Sequence, residues 1–215
     1  MKLAVLNPNS TAAMTDGVVA EVRRLLVVHG RHDVAVHGAT CASGPSVISS
    51  PASFAAGARA IDTDWPALDR AGRCDAVLLA CFGDPGLADL RARAGRPVAG
   101  MATASLDAAL AAGERFHILT AGAAWDGMLR ALIATHPAAQ LLDGITILPA
   151  DGLAASRDAT GTLQRLQQGL DLLAQRGAPR CILGGAGFAG LRPQLVYPAV
   201  LTDGIEAATA QLLAA

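Results

Sequence analysis

Cys81 is the side chain whose setting most suggests chemistry. It closes the apolar run Ala76–Ala80 and is followed by the turn Phe82-Gly83-Asp84-Pro85-Gly86, with a helix expected from Leu87. A residue at the carboxyl end of a buried parallel strand faces the region where α/β proteins bind ligands. Backbone N–H groups in such a turn are expected to lower the thiol pKa from its free value of about 8.5. They could equally hold a carboxylate. The plain alternative is an inert buried cysteine, the common state of a free thiol. Asp84, before Pro85, reads as a turn or helix cap rather than as a catalytic acid.

Three other segments carry polar or glycine-rich loops at strand ends. Asn7-Pro8-Asn9-Ser10-Thr11 joins a strand to a helix, so Asn9, Ser10 and Thr11 could hold a carboxylate or amide oxygen. Simple N-capping by Ser10 or Thr11 explains the same residues, and both readings can hold together. Thr120-Ala121-Gly122 has the same setting, which makes Thr120 and Gly122 candidates. Gly185-Ala186-Gly187-Phe188-Ala189-Gly190 is a literal G-x-G-x-x-G after a strand. Its context argues against a dinucleotide. Pro193 and Pro198 interrupt the helix that should follow, and a further strand is hard to place after Gly190. Gly185, Ala186 and Gly187 suit a small anion equally well.

The remaining chemistry is soon excluded. Cys74 and Cys181 begin their strands and so lie away from the strand-end cleft, while Cys41 follows a strand and is the one other thiol within reach of it. No C-x-x-C occurs, and no histidine stands at zinc spacing from a cysteine, so no metal is expected. Lys2 is the sole lysine and sits at the N-terminus. It can serve neither as a Schiff-base lysine for pyridoxal phosphate nor as a P-loop lysine. No cofactor is expected.

Bulk properties narrow the partners. The chain has 215 residues, with 17 Lys+Arg against 18 Asp+Glu, 52% hydrophobic and 3% aromatic residues. Near-neutral charge argues against a nucleic acid or an anionic membrane as partner. No window of about 18 apolar residues suggests a membrane span. The apolar stretch at the N-terminus is too short for a signal-peptide core, so a cytoplasmic protein is the expectation.

The elements that must position these residues alternate in type. Short apolar strands are expected at Leu3–Leu6, Val34–Val36, Ala76–Ala80, Val98–Met101, Phe116–Leu119, Ile145–Leu148 and Cys181–Leu183. Helical periodicity lies between them, as in Met14, Val18, Val22, Leu25 and Leu26, and helices are expected from about Ser105, Trp125 and Asp203. Continuous apolar strands alternating with helices indicate a parallel α/β protein. The two halves also resemble one another. Residues 78–87 and 182–191 match at four of ten positions with an offset of 104 residues. The expected architecture is therefore two similar α/β lobes with parallel sheets, related by a pseudo-two-fold axis, with the active site in the cleft between them. The lobes are placed at 1–97, joined by a C-terminal helix at 203–215, and at 98–202.

In this order the motifs resemble the aspartate/glutamate/hydantoin racemase superfamily, nearest to the hydantoin racemases. Asn7-Pro8-Asn9-Ser10-Thr11 with Met14-Thr15 is similar to that group's opening. Gly44-Pro45 through Ile48 and Ser50 resembles its second loop, with Ser49 where an acidic residue is usual. Ala80-Cys81-Phe82-Gly83-Asp84-Pro85-Gly86-Leu87 resembles the first catalytic cysteine motif, and Leu183-Gly184-Gly185-Ala186-Gly187 the second.

The resemblance implies a cofactor-free isomerase that moves a proton at the carbon alpha to a carboxylate or imide carbonyl. Its substrate would be a small carboxylate or a hydantoin-like imide, and the protein a homo-oligomer, dimeric or larger. Cys81 carries over as the acid–base group. Ser50, Phe82 and Gly83 join the binding residues, and backbone N–H groups around Phe82-Gly83 and Ala186-Gly187 would stabilise the enolate-like charge. The second cysteine of the two-thiol members falls at Gly185, which has no proton to exchange. Superfamily decarboxylases also work with a single cysteine, but keep the second-lobe one, so this chain is the mirror arrangement. A decarboxylase therefore stays open as an alternative, and so does a non-catalytic protein that binds a small acid.

Overall fold

The structure is a computed structural model describing residues 1–149, 152–178 and 180–215. It contains two four-stranded sheets, and every strand pairing in both is parallel. The first has the order β2-β1-β3-β4, from β1 (Lys2–Asn7), β2 (Ala35–Thr40), β3 (Ala76–Leu79) and β4 (Val98–Gly100). The second has the order β6-β5-β7-β8, from β5 (Phe116–Ala121), β6 (Leu142–Leu148), β7 (Arg180–Gly184) and β8 (Val200–Asp203). Renumbering each set from its own first strand makes the two orders identical, which is the two-lobed repeat expected from the offset of residues 78–87 and 182–191.

The connections are helical, as parallel strands require. In the first lobe they are α1 (Ala12–Val28), α2 (Pro51–Ala71) and α3 (Leu87–Ala94), with α4 (Met101–Ala112) after β4. The second lobe has α5 (Trp125–Ala134), α6 (Gly152–Arg157) and α7 (Ala159–Gln175), with α8 (Gly204–Ala214) after β8. Strands β1, β3, β5 and β7 lie centrally in their sheets and are buried along nearly their whole length. Burial on both faces is why they read as unbroken apolar runs rather than as alternating ones.

Three expectations need correction. A break at 97/98 puts β4 in the second lobe, yet Val98, Ala99 and Gly100 pair with Val77, Leu78 and Leu79 of β3. Arg96-Pro97 is only the short link into the last strand of the first sheet. The helix expected from about Ser105 begins at Met101, directly off β4. The stretch after Gly190 does hold a strand, β8, whose residues 200–203 pair with residues 180–183 of β7. Four residues suffice for an edge strand, so two prolines upstream do not exclude it. Helix α8 returns to pack on α1, β3, β4 and α4 as well as on β7 and β8. Helices α4 and α8 pack against one another and bury small residues, among them Ala102 and Ser105 of α4 and Ala208 and Thr209 of α8.

Candidate active site

The site is built from two equivalent strand-end turns. After β3 the chain makes the turn Cys81–Gly86, with Asp84 N–H donating to the Cys81 carbonyl at 3.1 Å. Gly83, Asp84 and Gly86 all have positive φ, at +138°, +56° and +69°. Glycine is required at 83 for space as well. A Cβ there would lie 2.5 Å from the ring of Trp125. Asp84 adopts the left-handed conformation, which aspartate visits more readily than most residues, and its side chain reaches the start of α4. Its carboxylate accepts from Ala102 N–H (3.1 Å), Thr103 N–H (2.7 Å) and Thr103 Oγ1 (2.6 Å). It is thus a helix cap, but of α4 rather than of the adjoining α3.

After β7 the equivalent turn is Gly185 followed by a single 3-10 turn, Ala186–Phe188. Phe82 of the first turn lies against this side of the molecule. A Cβ on Gly184 would meet its ring at 2.6 Å, and one on Gly204 at 2.9 Å. The two strand ends are therefore pressed together through one aromatic ring. Between them lies a cavity of about 470 Å³, counting the part open to solvent. Cys81, Phe82 and Ala80 line it from the first lobe, with Thr120, Gly185, Ala186, Gly187 and Phe188 from the second. Asn9 and Met14 close one side, and Val47 and Ile48 another. Trp125 of α5 reaches across the mouth to meet Phe54 of α2 edge-on, with ring centres 6.4 Å apart.

Polar groups in this cavity are few. Asn9 is nearly fully buried, and its side-chain oxygen accepts from Asn7 Nδ2 (3.0 Å) and Thr11 N–H (2.9 Å). That fixes the amide's orientation and leaves its NH2 facing Met14 Sδ at 3.7 Å, a weak partner. The Thr120 hydroxyl donates to the Gly184 carbonyl. The backbone N–H groups of Phe82, Gly83, Gly185, Ala186 and Gly187 donate to no acceptor among the described residues. No Lys, Arg, His, Asp or Glu stands among the described residues lining the cavity.

The Cys81 thiol differs from expectation. It is only 7% exposed, and burial first, then the negative charge of Asp84, push its pKa well above the ordinary thiol range. The expected lowering by the turn's N–H groups does not prevail. At neutral pH the thiol is protonated. It becomes a strong base only as the thiolate.

Several expected binding residues lie outside the cavity wall. Ser10 donates its N–H to the Pro45 carbonyl. Thr11 is the N-cap of α1, but its hydroxyl donates to the Ser46 carbonyl (2.7 Å) instead of capping. Both residues tie β1 to the 44–50 loop. Ser50 forms a capping box with Ser53 at the start of α2. Gly122, at φ +99°, donates to the Leu148 carbonyl, and its own carbonyl accepts from Trp125 N–H, so it positions the tryptophan. Gly83 has the same supporting place beneath that ring. Asn9, Phe82, Thr120, Gly185, Ala186, Gly187 and Cys81 are brought together around one cavity. Sequence reasoning missed Trp125 and Phe188. Trp125 looked like a helix start, and only Gly83 hints at its ring. The internal repeat could have flagged Phe188, which aligns with Asp84.

Cys41, Cys74 and Cys181 are buried elsewhere. Cys74 lies just before β3, at the far end from Cys81, with Arg96 Nη1 3.4 Å from its sulfur. Among the described residues no group of three His, Cys, Asp or Glu is placed to hold a metal ion, and no helix is long and apolar enough to cross a membrane.

Fold and site together describe a two-lobed α/β enzyme with a thiol as the titratable group among the described residues of its cleft. Residues 3–212 match the family model described as Asp/Glu/Hydantoin racemase, and the chain belongs to that family. It is 30% identical over 216 residues to a hydantoin racemase from Rhizobium meliloti, covering 97% of this chain and 86% of the relative. A hydantoin racemase from Paenarthrobacter aurescens is 29% identical over 196 residues, covering 91% and 81%. Among solved structures, an allantoin racemase from Klebsiella pneumoniae superposes with a TM-score of 0.89 at 25% identity, covering all of this chain and 86% of that one. The protein is a racemase-type enzyme of the isomerase class.

Proposed function

We propose that this protein moves the proton on the carbon alpha to a carbonyl of a hydantoin-like cyclic imide, with Cys81 as its acid–base group and no cofactor. The observation that carries this reading is a single thiol in a cleft whose described walls are otherwise uncharged. A free amino acid or a malonate would bury a carboxylate there without a counter-charge, which is costly. A neutral ring avoids that cost. In the proposed step the Cys81 thiolate takes the alpha proton and becomes the thiol. The electron pair of the broken C–H bond moves onto the adjacent carbonyl as an enolate. The unpaired N–H groups of the two turns and the Asn9 amide would bind that oxyanion, where fixed donors are worth most. Return of the proton from the thiol completes the exchange. The kinship with hydantoin and allantoin racemases supports the same reading.

A decarboxylase with one proton donor is the second reading, favoured by glycine at position 185. Single enantiomers of 5-substituted hydantoins incubated in D2O separate the two. Loss of optical rotation with deuterium at the alpha carbon is the expected result. Carbon dioxide release from substituted malonates, without exchange in any hydantoin, would overturn the proposal.

A further inference from the structure

Phe188 has no role in the reaction as described, although its ring lines the cavity and is 1% exposed. A Cβ built on Gly185 would lie 3.1, 3.2 and 3.5 Å from three atoms of that ring. Gly185 itself has φ 172°, extended backbone that any residue adopts. A side chain at 185 is therefore opposed by the neighbouring ring, which would have to shift by a few tenths of an ångström, and not by the backbone. Gly185 and Cys81 occupy equivalent positions in the two lobes and line the same cavity. The wall equivalent to the thiol is thus glycine backbone with a phenyl ring packed over it.

We propose that Phe188 makes the chemistry one-faced. By filling the space above Gly185 it excludes both a side chain and water from the second face of the bound carbon, so that proton exchange runs through Cys81 alone. This rests on the proposed reaction and deepens it. Cys81 is the sole titratable side chain among the described lining residues. Asn9 is an amide, and the Thr120 hydroxyl is committed to the Gly184 carbonyl. A proton removed by Cys81 must then return to the same face while the ring stays bound. The thiol can exchange that proton with solvent between the two steps. Inversion needs the planar enolate to turn over or to leave the cleft.

The isotope pattern in D2O tests this with the unmodified enzyme. Starting from one enantiomer, deuterium should appear first in the recovered, uninverted substrate. It should do so roughly tenfold or more faster than inversion, because a well-placed acid–base group is worth about 10²–10⁴-fold. Recovered substrate that keeps its protium while the inverted product carries deuterium would overturn the inference, yet leave the proposed reaction standing. Absence of any exchange would instead sink the proposed reaction. Two variants then address the ring. Phe188→Leu should raise inversion relative to exchange by admitting water to the second face. Gly185→Cys combined with Phe188→Leu should move deuterium into the inverted enantiomer, and should do so more than Gly185→Cys alone, where the ring blocks the new side chain. An unchanged ratio in folded Phe188→Leu and in the folded double variant would remove Phe188 from the account. Failure of either variant to fold leaves the wild-type isotope pattern to decide.

Discussion

The two strand-end turns are equivalent in topology and opposite in chemistry. Register aligns Leu79 with Gly100 in the first lobe and Leu183 with Asp203 in the second. Asp84 therefore corresponds to Phe188, and Gly100 to Asp203. Each lobe supplies one carboxylate to the helix that follows its fourth strand, but from a different place. In the first lobe Asp84 reaches over from the turn to the start of α4, and Gly100 is glycine because a Cβ there would lie 2.4 Å from the Asp84 carboxyl carbon. In the second lobe Asp203 caps α8 from the strand end, accepting from Ile205 N–H (2.8 Å) and Glu206 N–H (3.3 Å). That frees position 188 from capping. An aromatic ring takes it, and the ring decides what fits at 185. One exchange of carboxylate positions thus separates a lobe that presents a thiol from a lobe that presents carbon.

The largest test of this contrast removes the thiol. Cys81→Ala should lower alpha-proton exchange by roughly 100-fold or more, with the fold kept. Cys41→Ala, Cys74→Ala and Cys181→Ala should retain most exchange, since none of the three lines the cavity. Full exchange in Cys81→Ala would end the assignment.

The thiol's protonation gives the next effect. With the Cys81 pKa raised by burial and by Asp84, thiolate grows about tenfold per pH unit through the neutral range. Alkylation of Cys81 by iodoacetamide and the exchange rate should both climb from pH 7 to 9 without levelling. A plateau near pH 7 would mean that the turn's N–H groups do lower the pKa. Cys41 and Cys181 are fully buried and line no part of the cavity, so they should label more slowly still in the folded protein.

Moving the first lobe's carboxylate tests the capping exchange itself. Asp84→Gly keeps the positive φ and removes the cap, so stability should fall by roughly 1–2 kcal/mol. That is about 2–4 °C in Tm per kcal/mol for a chain of this size. Adding Gly100→Asp should recover much of the loss. Gly100 has φ −97°, open to any residue, and Asp84 supplies the atoms that crowd its Cβ. The alkylation profile of Asp84→Gly should also move to lower pH, because a negative neighbour is gone. A double variant no more stable than the single one would break the equivalence of the two caps.

These contrasts mark what a single sequence can and cannot reveal. Central strands were legible because burial on both faces leaves an unbroken apolar run, and the place of Cys81 beside the cavity because it closes such a run at a strand end. Helix α6 carries no such signature, being short and alanine-rich, and β8 was hidden by the prolines before it. Ser10, Thr11 and Ser50 lie off the cavity wall for a chemical reason. The hydroxyl that binds a ligand is the same group that ties down a loop, and the choice depends on a partner distant in sequence, such as the Ser46 carbonyl for Thr11. Phe188 was obscured for the opposite reason, since an apolar residue in a loop reads as core, and only its alignment with Asp84 in the internal repeat marks it before its ring is seen over Gly185.

The smallest effect concerns the second lobe's cap. Asp203 is 2% exposed, and burial pushes its carboxyl up to about 7 against the two N–H groups that favour its charge, with Glu21 and Glu206 adding repulsion. A raised carboxyl pKa means that the folded chain binds a proton the unfolded chain has already lost between about pH 4 and 7. Stability should therefore fall as pH rises through that window and level off above it. Asp203→Asn keeps a good cap, since asparagine and aspartate rank alike at this position, and it carries no charge to desolvate. The variant should match the wild type near pH 4 and exceed it by on the order of 1 kcal/mol at pH 8, about 2–4 °C in Tm. Urea midpoints across pH 4–8 would measure the difference. Parallel curves for the two proteins would show that the buried carboxylate is solvated well enough to ionise freely, and that its cap resembles an ordinary surface one.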